Sequence, residues 1–199
     1  MSLRVIAGSA KGRRLKSVPG DSTRPIMDRA KEALFSIIGR EIYGANFLDL
    51  FAGTGSVGIE ALSRGAQHAV FVDLERHAVK TIHENLKLTR LEDKATVRRA
   101  DALAMIKARP PAQPYDFIYV APPQYRGLWL ETLRQLDANP VWVPDEETTV
   151  IAQIDPKEYE EVTLQNLERY DQRTYGKTML IFYAGHARTN VKGANNAES

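Results

Sequence analysis

The 199-residue chain has no cysteine, which excludes disulfides, thiol catalysis and cysteine-ligated zinc. Histidine is scarce as well. His68, His77, His83 and His186 show no metal-ligand spacing. His77 and His83 fall on different faces of an expected helix, so the histidines read as solvated and no metal site is expected. No apolar run approaches the ~18 residues of a transmembrane helix. The opening Met1-Ser2-Leu3-Arg4-Val5 lacks the long apolar stretch of a signal peptide. A cytoplasmic protein without membrane association is the expectation. Nothing in the sequence calls for more than a monomer, and the length suits one sizeable core.

Neither sign of charge dominates, with 27 Lys/Arg against 25 Asp/Glu, but the distribution is uneven. Residues 1–40 hold nine Lys/Arg and three Asp/Glu, a net of +6, which leaves −4 on the remainder. Arg4, Lys11, Arg13, Arg14 and Lys16 stand in the first twenty residues without one acid among them. This segregation predicts a phosphate-rich partner, RNA, docked at the N-terminal end. The alternative is a solvated basic hairpin.

Leu3 to Ala7 and Arg13 to Val18 read as two short strands around Gly8-Ser9-Ala10-Lys11-Gly12. A helix is predicted from about Pro25 to Ile38, with Pro25 in its first turn and Thr23 or Arg24 just outside. Ala30, Ala33, Leu34, Ile37 and Ile38 form its apolar stripe, and Gly39 closes it. Strands and helices then alternate. The strands fall at about 46–50, 69–73, 95–99, 116–120 and 148–154, and the helices at about 56–64, 75–89, 101–108 and 127–137. Runs such as Ala69-Val70-Phe71-Val72 suit a parallel sheet covered on both faces. The rhythm changes near the end. Glu161 to Leu167 and Met179 to Tyr183 read as two strands joined by Asp171 to Lys177 without a helix. The fold class is α/β, with a mostly parallel seven-stranded Rossmann-like sheet whose last strand is antiparallel, preceded by a basic hairpin and a helix. The polar tail 187–199 is expected to be disordered.

The most informative stretch is Asp49-Leu50-Phe51-Ala52-Gly53-Thr54-Gly55-Ser56-Val57-Gly58. A strand runs into a glycine turn, and a helix starts near Ser56. Glycines admit a close ligand, and the helix N-terminus offers unpaired N–H groups. The turn satisfies G-x-G-x-x-G, which alone also fits NAD. Three acids narrow the choice. Asp49, before the turn, suits the cationic methionyl part of S-adenosylmethionine and not a pyrophosphate. Asp73 ends the next strand near the ~20-residue offset of a ribose-binding carboxylate. Asp101 follows the third strand, where it can accept from an adenine amine. Asp73 and Asp101 also have a plain reading as helix caps. Phe51, Gly53, Gly55 and Ser56 of the turn, with Ala102 beside Asp101, complete the expected cofactor contacts.

After the fourth strand comes Ala121-Pro122-Pro123-Gln124-Tyr125-Arg126. Two prolines cannot continue a ladder, and they leave carbonyl oxygens free. Beside a cofactor crevice, a substrate-facing loop is the expectation, and a plain rigid turn is the alternative. Tyr119 belongs to the core side of its strand.

Here the chain resembles the RsmD family of 16S ribosomal RNA guanine-N2 methyltransferases, within the class I S-adenosylmethionine-dependent enzymes. The likeness covers about residues 3–184. It rests on Arg4-Val5-Ile6-Ala7-Gly8, on Lys11 to Leu15, on Thr23-Arg24-Pro25 through Phe35, on Asp49 to Gly58, on Glu60 to Gly65, on Pro122-Pro123 and on Tyr125-Arg126-Gly127. The resemblance implies methyl transfer to the exocyclic amine of a guanine in a partly assembled small ribosomal subunit. It implies a division into an RNA-docking extension (1–40) and a methyltransferase domain (41–186). The family's loop reads Asp/Asn-Pro-Pro-Phe/Tyr. There the first side chain and the first proline carbonyl accept from the target amine, and the aromatic residue stacks on the base. In this chain Ala121 replaces the acceptor and Gln124 the aromatic, with Tyr125 one place later. Either Gln124 and Tyr125 substitute, or the protein binds cofactor and RNA and methylates slowly or not at all. Arg4, Lys11, Arg13, Arg14 and Lys16 are expected to grip phosphates, and Arg126 the flanking backbone. Arg24 and Arg29 either bridge RNA and cofactor regions or make structural ion pairs.

Overall fold

The computed structural model describes residues 3–19, 28–108, 111, 113–144 and 146–185. Its apolar runs form the central strands β1 (Asn46–Asp49), β2 (His68–Asp73), β3 (Ala95–Arg99), β4 (Phe117–Val120) and β5 (Thr149–Ile154), all parallel. β6 (Leu167–Tyr175) and β7 (Thr178–Gly185) complete a seven-stranded sheet in the order β3-β2-β1-β4-β5-β7-β6. β7 runs antiparallel to both of its neighbours. The helices are α1 (Asp28–Ile38), α2 (Ser56–Ser63), α3 (Arg76–Thr89), α4 (Ala102–Ala108) and α5 (Leu128–Ala138). None of the described helices is long and apolar enough to cross a membrane.

Alternation along each strand divides the core. Phe47, Phe71, Tyr119 and Phe182 pack with Leu34, Phe35, Leu62, Ile82 and Leu86 of α1–α3. Leu48, Val70, Ile118 and Val150 pack with Ile106, Trp129, Leu133 and Leu136 of α4 and α5. With both faces covered, the strand order reverses between β1 and β4. The loops leaving those strands diverge to opposite faces there, and such a switch point opens a crevice at the carboxyl ends.

The N-terminal segment is built into the first of these cores. Leu3, Val5, Ala10 and Leu15 are buried in it. A charged cluster fixes it further. Glu60 of α2 accepts the backbone N–H groups of Ile6 (2.8 Å) and Ala7 (2.9 Å) and the Arg64 Nε (2.8 Å). The Lys31 Nζ lies 3.4 Å from Glu60 and donates to the Arg4 carbonyl at 2.7 Å. Both side chains are wholly buried. Burial pushes the Lys31 amine below its usual range, and Glu60 pulls it back. Gly8 lies so close to α2 that a Cβ there would sit 1.8 Å from the Ser63 carbonyl oxygen.

Three sequence expectations need correction. The predicted strands at 3–7 and 13–18 shorten to one antiparallel bridge, Arg4 to Arg14, flanked by the Leu15 N–H to the Leu3 carbonyl (2.8 Å) and the Val5 N–H to the Arg13 carbonyl (3.0 Å), with positive φ at Gly8 and Gly12 in the connecting turn. The strand placed at Glu161–Leu167 is a loop. Its Val162 and Leu164 rest on the α4–α5 core without ladder partners, and the true strand begins at Leu167. The connection to β7 is only Gly176-Lys177, between the paired residues Tyr175 and Thr178. The expected helix start at Pro25, the cap at Thr23 or Arg24, and the tail 187–199 lie outside the described residues.

Candidate functional site

A cleft of about 1000 Å³ opens at the carboxyl ends of the strands, over the switch point. Asp49, the glycine turn, Asp73, Asp101 and the Ala121–Arg126 loop all line it. Sequence reasoning had placed those groups on three separate strand ends and a loop. The parallel sheet brings them to one rim.

The glycine turn is held from two sides. The Gly53 N–H donates to the Asp73 Oδ2 at 2.8 Å, and the Glu75 N–H to its Oδ1 at 2.9 Å. Thus Asp73 is not the cap residue of α3; it ties the turn to the start of that helix. Each carboxylate oxygen keeps a further lone pair. From the other side, wholly buried Asn85 donates to the Thr54 carbonyl (2.8 Å). It also accepts the Lys16 N–H (2.7 Å) and donates to the Lys16 carbonyl (3.0 Å). One amide therefore joins the N-terminal segment to the turn. Gly58 lets α2 lie flat on β2, since a Cβ there would meet the Phe71 ring at 2.3 Å. Ser56, buried, opens α2 beneath the cleft, and Phe51 and Ala102 line its wall.

Asp49 is buried at 1 % exposure, and its Oδ1 has no hydrogen-bond partner among the described residues. Burial pushes its carboxyl up to about 7. The backbone amides of Gly58 and Phe51 oppose the shift, and the charge of Asp73 adds to it. A buried carboxylate oxygen facing an open cleft is costly unless a positive group meets it. That observation fits a cationic ligand. Asp101 is exposed and accepts the Ala104 N–H at 2.8 Å, so it caps α4 with one oxygen and keeps the other.

The opposite wall carries the Pro-Pro loop. Ala121 is half-buried and Pro122 buried, while Pro123, Gln124, Tyr125 and Arg126 are exposed. Tyr125 has φ +61, a left-handed conformation that costs a non-glycine residue free energy. Two acids hold it there. Its N–H donates to the Glu158 Oε2 at 2.7 Å, and its hydroxyl to the Asp155 Oδ2 at 2.8 Å. Lys157 N–H and Tyr125 hold the Asp155 carboxyl below its usual range. Tyr119 is in the core as expected, yet its hydroxyl reaches the cleft wall and donates to Gln153. Burial holds that phenol well above its usual range, so it stays a donor.

The basic residues divide. Arg4 pairs with Asp28 (3.1 Å), Lys16 with Glu84 (2.9 Å), and the Arg13 guanidinium donates to the Leu88 carbonyl (2.5 Å). Acids distant in sequence therefore face a segment that has none of its own. Lys11 and Arg14 are exposed. Arg24 lies outside the described residues. Sequence reasoning missed Gln153, Asp155, Lys157 and Lys177, which also line the cleft. They are single polar residues in no motif. Only Gly176-Lys177, a two-residue turn between alternating runs, offered a signal.

Fold and cleft together define a class I S-adenosylmethionine-dependent methyltransferase. Residues 3–184 match the family model described as conserved hypothetical protein 95. The putative rRNA methyltransferase YlbH of Bacillus subtilis is 39% identical over 182 residues, 91% of this chain and 98% of that one. Ribosomal RNA small subunit methyltransferase D of Escherichia coli is 35% identical over 144 residues, covering 72% of this chain and 71% of that one. The solved structure of the putative methyltransferase yhhF from Escherichia coli superposes with a TM-score of 0.81 at 30% identity, covering 94% of this chain and 100% of that one. The chain belongs to the RsmD family.

Proposed function

We propose that the protein transfers a methyl group to the exocyclic N2 amine of a guanine in 16S rRNA, within a partly assembled small ribosomal subunit. It works as a monomer in the cytoplasm. The observation that carries the reading is the buried Asp49 Oδ1, without a hydrogen-bond partner among the described residues, in the cleft one strand from the Pro-Pro loop. The names of the relatives supply the rRNA substrate.

When bound, S-adenosylmethionine supplies an electrophilic methyl on a sulfonium. Asp49 would face its cationic methionyl part, Asp73 would accept from ribose, and the second oxygen of Asp101 would accept from the adenine amine. Phe51, Gly53, Gly55, Ser56 and Ala102 shape the wall around it. The chain's task at the other end is to orient a poor nucleophile, because the guanine amine lone pair is delocalised into the ring. The Pro122 carbonyl and the Gln124 side-chain carbonyl accept its two N–H bonds. They localise the lone pair and stabilise the positive charge that grows on nitrogen. Tyr125, fixed by Asp155 and Glu158, stacks on the extruded base. Lys11 and Arg14 reach for phosphates, together with Arg4, Arg13 and Lys16 on release from their protein partners.

Mass spectrometry of rRNA incubated with undermethylated small subunits and cofactor tests the reading. N2-methylguanosine is the expected product. Ala121 favours a second reading, a cofactor-binding assembly factor without turnover. No product despite measurable cofactor binding selects it.

Asp49 makes cofactor affinity pH-dependent. Its carboxyl is raised to about 7, and the ionised form is the one that attracts a cation. Affinity therefore rises with pH through that value, and binding below it releases a proton. The unliganded protein behaves oppositely. A raised folded-state value means that the contribution of Asp49 to stability is greatest below the ordinary carboxylate range and is lost as pH rises through about 7. Calorimetry between about pH 5.5 and 8.5 should show this slope in the wild type and a flat profile in Asp49→Asn.

A further inference from the structure

The charges lining the cleft are divided in a way that the proposed cofactor contacts leave unused. Asp49, Asp73, Glu75 and Asp101 end or follow β1, β2 and β3 on one side of the sheet. Arg126, Lys157 and Lys177 come from the side of β4, β5 and the β6–β7 turn, where the lining acid, Asp155, is engaged by the Tyr125 hydroxyl and the Lys157 N–H. The three cations come from three separate elements: the loop after β4, the turn after β5, and the β6–β7 connection. All three are exposed, and among the described residues none forms an ion pair. Their positions are built. Lys157 emerges from a short 3-10 turn, Pro156–Glu158, whose cap Asp155 accepts the Lys157 N–H at 3.0 Å. Lys177 sits at the tip of a two-residue turn between Tyr175 and Thr178. Its partner Gly176 takes φ +60 at the first central position, as a type II′ turn demands. The charges of both lysines act on Asp155, which places them around the hydroxyl anchor of Tyr125.

We infer that Lys157 and Lys177, with Arg126, form a second phosphate grip, which holds the backbone of the target nucleotide at the mouth of the cleft. The inference rests on the proposed RNA substrate. An extruded base drags its two flanking phosphates to the rim of the pocket that receives it. The rim beside Tyr125 is where they arrive, and it carries three unpaired cations. The N-terminal basic residues belong to a separate segment, joined to the glycine turn through Asn85. They serve to dock the particle. The grip at the mouth serves to hold the flipped nucleotide, so the two surfaces divide recognition between them.

The test is Lys157→Gln/Lys177→Gln against wild type and the charge-conserving Lys157→Arg/Lys177→Arg. Binding to undermethylated small subunits is measured by filter retention from about 50 to 200 mM KCl at constant magnesium. The salt slope of log Kd should fall by about one per lysine removed in the Gln variant and be retained in the Arg variant. KM for the particle should rise at least tenfold, while the dissociation constant for S-adenosylhomocysteine stays unchanged. Wild-type slope and KM in the Gln variant overturn the grip and leave the methyltransferase reading intact. Failure of the wild type to bind the particles at all overturns both.

Discussion

Gln124→Ala lowers kcat for methyl transfer by roughly 10²–10³, with the affinity for S-adenosylhomocysteine unchanged. The size follows from the proposed role of Gln124 as one of two acceptors for the target amine in the transition state. Gln124 is exposed on the cleft wall two residues from the Pro122 carbonyl, and its amide has no hydrogen-bond partner among the described residues. Its carbonyl is thus available to the target amine, where Ala121 offers none. The companion variant Ala121→Asp should stay within about threefold of wild type, because the second acceptor is already supplied. Single-turnover kinetics on undermethylated small subunits measures both. The reverse pattern, an inert Gln124→Ala and a gain of about 10² in Ala121→Asp, would mean that the native loop is handicapped.

The second large effect is on stability. Glu60→Ala should cost about 3–5 kcal/mol and lower Tm by roughly 10 °C. It strands the buried Lys31 ammonium with only the Arg4 carbonyl, and it orphans the Ile6 and Ala7 N–H groups. A loss of that size is a large part of the ~5–15 kcal/mol that holds a domain together. The double variant Glu60→Leu/Lys31→Met should recover part of it, since matched apolar groups leave no unpaired charge. Limited proteolysis adds a readout: the segment up to Lys16 should become cleavable in Glu60→Ala before the rest of the domain. Thermal unfolding within about 1 kcal/mol of wild type would show that the cluster does not anchor the segment.

Much of this site was legible in the sequence, for a physical reason. Parallel strands buried on both faces need continuous apolar runs, so Phe47–Leu50 and Ala69–Val72 announce themselves, and their carboxyl ends converge by topology. Asp49 and Asp73 stand at the ends of such runs, whereas Asp101 follows the short strand Ala95–Arg99, which ends in two exposed arginines and was placed by the strand–helix rhythm. What stayed hidden depends on pairing and not on pattern. β6 is mostly exposed and polar, and it is a strand because a two-residue turn lays it against β7. Val162 and Leu164 alternate like a strand but only plug the core. The roles of Glu60, Lys31 and Asn85 also escaped notice. A buried charge or amide has no sequence signature, and its partners lie 27 to 69 residues away. The plain reading of Asp101 as a cap is correct in geometry, and it leaves one carboxylate oxygen uncommitted.

The two outer strands of the sheet have a consequence for crowded solutions. β3 ends in exposed Arg98 and Arg99, and β6 presents Glu168, Arg169, Gln172 and Arg173, with a register shift between Arg169 and Asp171. A second copy offering either border its own backbone would have to bury guanidinium and carboxylate groups and match an irregular spacing. Both margins therefore disfavour lateral growth into ribbons or fibrils.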